Sequence, residues 1–99
     1  MHARVSTLEI DPSGIDEVAR GLEENDIPEF EKADGYKGFT LLVDRQGGKV
    51  VGVSFWESED ALRASEEQGK AARERAVESS GASGTPEVDR FEVAIDKMV

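Results

Sequence analysis

Residues 49–56, KVVGVSFW, carry no charge after the lysine, and this constrains the fold more than any other stretch. In a strand, Val51, Val53 and Phe55 point to one side, and Val50, Gly52, Ser54 and Trp56 to the other. An antiparallel strand with one wet face alternates apolar with charged residues. A strand uncharged on both faces therefore belongs to a sheet covered on both sides. The chain must supply both covers or borrow one.

The strand lies within residues 35–58, GYKGFTLLVDRQGGKVVGVSFWES, which read as a hairpin running into a helix cap. A strand over 36–44 leads to Gln46-Gly47-Gly48, residues that tolerate positive φ, and the chain returns through 49–56. Ser58 suits an N-cap, and Glu59 and Asp60 place negative charge at the positive end of the following helix. That helix is expected over 59–78, with Arg73 and Arg75 suiting its far end and a mobile Ser/Gly loop, 79–84, ahead of Pro86. Its inward stripe of Ala61, Leu62, Ala64, Ser65, Gly69, Ala72 and Ala76 is small. The helix either lies close to the sheet or leaves a cavity over Gly52 and Ser54. Gly69 costs about 1 kcal/mol relative to Ala and needs a packing or pocket reason.

Upstream, residues 3–10 read as a strand with Val5 and Thr7 on one face and Arg4, Ser6, Leu8 and Ile10 on the other. Ser13 and Asp16 resemble a capping box for a helix to about residue 24, whose apolar stripe is Ile15, Val18, Ala19 and Leu22. Asp26 is expected to cap a second start, with Pro28 in the first turn. Residues 88–95 form the last strand, Asp89, Phe91, Val93 and Ile95 alternating with Val88, Arg90, Glu92 and Ala94. The order β-α-β-β-α-β predicts an α+β, ferredoxin-like domain spanning 1–99, a four-stranded antiparallel sheet with both helices on one face. The uncovered apolar face then calls for a second copy, a homodimer.

With 22 acidic and 12 basic residues the formal charge is −10, which repels phosphate backbones and anionic lipid surfaces. No nucleic acid or membrane partner is expected. No run nears the roughly 20 apolar residues of a bilayer span, and no basic-then-apolar leader opens the chain. Without cysteine there are no disulfides, thiolate nucleophiles or Cys-based metal sites, and the cytoplasm is the plainest location. Glu57, Glu59, Asp60, Glu66, Glu67, Glu74 and Glu78 read as the solvated side of a helix. No His cluster supports a zinc site, although an all-oxygen Mg or Ca site stays open. No phosphate-binding glycine motif occurs, and Ser58 has no His or Cys partner for a triad.

The element order, the segment Gly35-Tyr36-Lys37-Gly38-Phe39, the run Val53-Ser54-Phe55-Trp56-Glu57-Ser58 entering Glu59-Asp60-Ala61-Leu62, and Arg90-Phe91-Glu92-Val93 together resemble the antibiotic biosynthesis monooxygenase superfamily. The resemblance implies a dimeric α/β barrel, closed by two sheets from two subunits, with a pocket between helices and sheet in each. Haem-degrading members carry a strand tryptophan like Trp56, but also an iron-ligating His on the second helix. Here His2 is the only histidine, at a terminus expected to fray. Cofactor-free members hold and deprotonate a phenol or quinol with pocket Asn, Trp, Tyr or Arg residues.

The resemblance therefore implies a small aromatic or apolar ligand, no cofactor, and substrate-binding residues among Trp56, Ser6, Ser54, Thr40 and Tyr36, with Arg90 a further candidate. Trp56 would pack against the ligand, and Ser6, Ser54 and Thr40 would contact its oxygens. Trp56 reads equally as a core aromatic, and Tyr36 as a rim residue. The alternative is a non-catalytic ligand-binding or stress-related dimer, favoured by the absence of any obvious group with a shifted pKa.

Overall fold

The hairpin is tightly bonded in the computed structural model, which describes residues 1–82 and 84–98. Strands β2 (Tyr36–Asp44) and β3 (Lys49–Trp56) lie antiparallel, as their alternation predicts. Between them Asp44 Oδ1 accepts from the amides of Gln46 and Gly47, both at 3.1 Å, and Gly48 N–H closes the turn onto the Asp44 carbonyl at 2.9 Å. Gly48 has φ +78, and a Cβ there would sit 2.0 Å from the Ile10 carbonyl oxygen. Ile10 N–H in turn donates to the Gly48 carbonyl at 2.8 Å. The turn is thereby fastened to the end of β1 (His2–Glu9).

Strand β4 (Glu87–Glu92) completes a sheet ordered β2-β3-β1-β4 in which every neighbouring pair is antiparallel. The register settles which side chains share a face. Arg4, Ser6 and Leu8 stand opposite Ser54, Gly52 and Val50, and Phe39 and Leu41 continue that row on β2. All of these face the helices. Val5, Thr7, Val53 and Val51 form the other face, and Thr40 and Leu42 join it, because Thr40 pairs with Val53 and Leu42 with Val51.

The helix layer departs from expectation in three places. Ser13 does not cap the first helix: Asp11 accepts from the Ser13 amide at 2.9 Å over the 3₁₀ turn Pro12–Gly14, and α1 (Ile15–Gly21) follows with Gly14 as its cap residue. Helix α2 (Ile27–Glu31) does follow Asp26 with Pro28 in its first turn, but Asp26 makes no side-chain cap bond, because the helical run reaches it unbroken through a π turn, Leu22–Asp26. Pro28 lacks the N–H that an i→i−4 ladder needs, and the run widens just before it, Ile27 N–H donating to the Leu22 carbonyl. The change of register turns Asp26 inward, where it is buried and ion-paired with Arg75 (Nε to Oδ1 2.8 Å).

The long second helix is two, α3 (Glu59–Ala64) and α4 (Glu66–Ser80), broken at Ser65 with φ −94 and ψ 5. Ser58 caps α3 as expected, its Oγ accepting from Ala61 N–H at 3.1 Å. Helix α4 outruns residue 78 to a left-handed Gly81. Arg73 and Arg75 consequently sit in mid-helix, and Arg75 engages Asp26 rather than the dipole. Of the expected inward stripe, Leu62, Ser65, Gly69 and Ala72 are buried and Ala64 is exposed.

Strand β4 stops at Glu92, short of residue 95. Strand β1 begins at His2, so beyond the bond from Val93 N–H to the Met1 carbonyl there is no partner to continue the ladder, and Ile95 is exposed. His2 itself is held in β1 between Trp56 and Glu92 rather than fraying. The expected mobile loop includes Ser83, which lies outside the described residues.

The core lies between helices and sheet, built on Leu8, Ile15, Leu22, Phe30, Trp56 and Leu62. On the far side Val51, Val53 and Phe55 are half-buried, and Leu42 and Phe91 are each 54% exposed. Among the described residues no helix is long and apolar enough to cross a membrane. Gly48→Ala should lose about 1–3 kcal/mol in urea unfolding, since it combines a strained φ with a clash against β1.

Candidate functional site

A cavity of about 60 Å³ lies where α4 passes over β1 and β3. Phe39 and Leu41 from β2, Leu8 from β1 and Leu22 from the π turn make much of its wall apolar, and Gly52 and Ser54 form the floor. At a share of roughly 30 Å³ per water, the space holds about two waters. It is much smaller than the usual drug-sized pocket of about 300 Å³ or more. Of the two alternatives, close packing or a cavity over Gly52 and Ser54, the structure has the cavity, and it is compact.

Two of the five expected site residues line it, Ser6 and Ser54. Trp56 does not. Its ring is fully buried in edge contact with Phe30 (6.0 Å between centroids, 89°) and Tyr36 (5.6 Å, 69°), and its Nε1–H donates to Ser54 Oγ at 2.9 Å. The indole stands behind Ser54 and fixes that hydroxyl, leaving the Ser54 O–H free to turn toward the cavity. Tyr36 belongs to the same aromatic cluster and not to the cavity wall; burial and the charge of Glu31 push its phenol pKa up. Thr40 is excluded by register, since one residue along a strand reverses the face and its neighbours Phe39 and Leu41 take the inner one. Arg90 lies outside the wall and forks onto Glu66, Nε to Oε1 2.7 Å and Nη2 to Oε2 2.8 Å.

The residue missed was Arg4. Its inward position on β1 was legible, but an arginine on a core face reads as an exception without its partners. The guanidinium is 2% exposed. Nη1 donates to Ser65 Oγ at 3.0 Å and, more weakly, to the Leu62 carbonyl at 3.4 Å, while Cζ stands 5.7 Å from the Trp56 ring centroid. A Cβ on Gly69 would meet Arg4 Cζ and Nη2 at 2.6 Å, so the mid-helix glycine exists to admit this group. Gly69 and Arg73 lie three and seven residues after Glu66, on one stripe of α4, and Arg73 also lines the cavity. Arg73 and Pro86 also border a surface groove with Lys70, Glu74, Val77, Glu78, Thr85 and Val88, which puts the cavity mouth between them.

The electrostatics follow from this packing. Burial lowers the Arg4 and Arg73 pKa values, but a guanidinium stays charged at any working pH. Hydrogen bonds from Arg90, assisted by the charges of Arg4, Arg90 and Arg73, hold the Glu66 carboxyl below its ordinary value against the opposing effect of burial. The same pairing raises the Arg90 pKa. Among the described residues no three His, Cys, Asp or Glu side chains gather as metal ligands. His2 lies away from the cavity, 3.7 Å from Glu59. The arrangement can bind an apolar body and offer hydroxyl and guanidinium donors to its polar atoms.

Residues 1–75 match the family model for antibiotic biosynthesis monooxygenase. An uncharacterized protein of Mycobacterium tuberculosis H37Rv, Rv2557, is 36% identical over 94 residues, covering 95% of this chain and 41% of that protein. The chain spans about two fifths of the length of the curated relatives it matches. Among solved structures, a monooxygenase from the gene ActVA-Orf6 of Streptomyces coelicolor, in complex with the ligand nanaomycin D, superposes with a TM-score of 0.80 at 20% identity, covering 99% of this chain and 91% of that one. The heme-degrader MhuD (Rv3592) of Mycobacterium tuberculosis, with two hemes bound in its active site, does so with 0.74 at 22% identity, covering 99% and 100%. At such identities the likeness is one of fold.

Two outcomes follow from the arginine packing. Gly69→Ala should destabilise the protein, yet in an Arg4→Ala background it should stabilise by about 1 kcal/mol of helix propensity, and a double-mutant cycle in urea reads the coupling. For Glu66, a native pKa below the unfolded one contributes stability above about pH 4.3, which is lost as acid drives the pH through the lower native value. Melting temperatures between about pH 3 and pH 6 should therefore fall less steeply in Glu66→Gln than in the natural chain.

Proposed function

This chain belongs to the antibiotic biosynthesis monooxygenase family, and we propose that it binds one compact, largely apolar aromatic molecule between its helices and its sheet, working as a homodimer. The cavity carries the reading: apolar side chains enclose it, and the Ser6 and Ser54 hydroxyls are the neutral side-chain donors in its wall. Trp56 acts through Ser54 instead of touching the ligand. The space is smaller than the roughly 150 Å³ that holds a benzene ring, so even a single ring would need α4 to yield a little from β3, and a multi-ring substrate far more.

Oxygenation without metal or flavin is the second reading, and one observation favours it. Arg4 and Arg73 supply positive charge that would lower the pKa of a bound phenol, and the phenolate is the electron-rich form that reacts with oxygen. Against it, the ionisable side chains of the wall, among the described residues, are arginines, which cannot accept the proton. Binding is therefore the stronger reading. The homodimer rests on the sheet face of Val51, Val53 and Phe55, where Leu42 and Phe91 stand half exposed.

Trp56 is the single tryptophan and lies one residue layer behind the cavity, so its emission reports occupancy. Titration with simple phenols and benzyl alcohols should shift that emission saturably, and an unresponsive spectrum across the panel would remove the cavity as a ligand site. Oxygen uptake with anthrones and quinols above the buffer rate would establish turnover. In sedimentation the natural chain should be a dimer at micromolar concentration and Leu42→Lys a monomer; a stable natural monomer would overturn the assembly.

A further inference from the structure

The arginines of the cavity wall are incompletely satisfied. Nη2 of Arg4 and Nη1 of Arg73 are both buried and have no hydrogen-bond partner among the described residues. The carboxylate that serves them is Glu66, whose Oε1 is 3.6 Å from Arg4 Nη1 and whose two oxygens are already committed to Arg90. Three guanidiniums, of Arg4, Arg73 and Arg90, thus share one carboxylate. Glu74 and Asp89 act on Arg73 and Arg90 only from exposed positions, and no carboxylate lines the cavity among the described residues. In a chain of net charge −10, positive charge is concentrated here.

We propose that the ligand binds as an anion, a compact apolar molecule bearing one carboxylate whose oxygens accept from Arg4 Nη2 and Arg73 Nη1. This rests on the cavity being the ligand site. Both arginines line the cavity, and a carboxylate has one oxygen to accept from each of their unpartnered donors. A phenolate offers a single oxygen, and a phosphate dianion would bring more oxygens than the apolar wall can satisfy. The hydrocarbon part lies against Leu8, Phe39 and Leu41, and the Ser54 hydroxyl, held by Trp56, supplies a third donor.

Trp56 emission and calorimetry on the full chain, with benzoate and benzyl alcohol as probes of equal body and different charge, test this. Benzoate should bind about tenfold to a hundredfold more tightly, the range expected of charge-assisted hydrogen bonds to buried donors. That preference should collapse in Arg73→Met and in Arg4→Met, each shown folded by circular dichroism; if Arg4→Met does not fold, Arg73→Met decides. Equal affinity for the two probes, or a preference that survives Arg73→Met, would overturn the anion while leaving the cavity as a ligand site. Binding of neither would remove both.

Discussion

The helix layer is registered to the sheet by one buried cation. Arg4 reaches from β1 to the break between α3 and α4, where its Nη1 takes the Ser65 hydroxyl and the Leu62 carbonyl left over at the end of α3. Ser65 Oγ also donates to that carbonyl at 2.7 Å, so the break is closed by a small polar network in a buried place. One turn later Gly69 gives the guanidinium room. Beneath it lies the Trp56 ring, itself locked by Phe30, Tyr36 and Ser54. The position of α4 over β3, and hence the cavity, follows from this stack.

A second ion pair fastens the other end of the layer. Arg75 leaves the exposed side of α4 to meet Asp26, which the π turn has rotated into the interior. Breaking either partnership would strand a buried charge, which is far more damaging than losing a surface pair. The remaining acidic residues of α3 and α4, Glu59, Asp60, Glu67, Glu74 and Glu78, face solvent and keep the molecule strongly anionic outside its cationic pocket.

Fold and function separate here. The same backbone is shared with structures described as a monooxygenase and as a heme-degrader, so the scaffold selects neither chemistry. For this chain the proposed function rests instead on its wall: serine hydroxyls, apolar side chains and two arginines with unpartnered donors among the described residues. Its tryptophan supports that wall from behind.

Sequence alone determined the elements whose signal is local. Alternation placed β2 and β3 at their observed bounds, the glycine turn joined them, and Ser58 capped α3. The lack of charge along 50–56 implied both the helix-covered face and the apolar face opposite. Tertiary structure decided the rest. The break at Ser65 meets a partner 61 residues away, Arg4, and the Asp26 that the π turn rotates inward meets one 49 residues away, Arg75, pairings which no local pattern announces. Register decided that Thr40 faces outward, and packing decided that Trp56 is core. Gly69 was visible as a puzzle in the helix, but its reason was the arginine across the layer, because a space is defined only by what fills it.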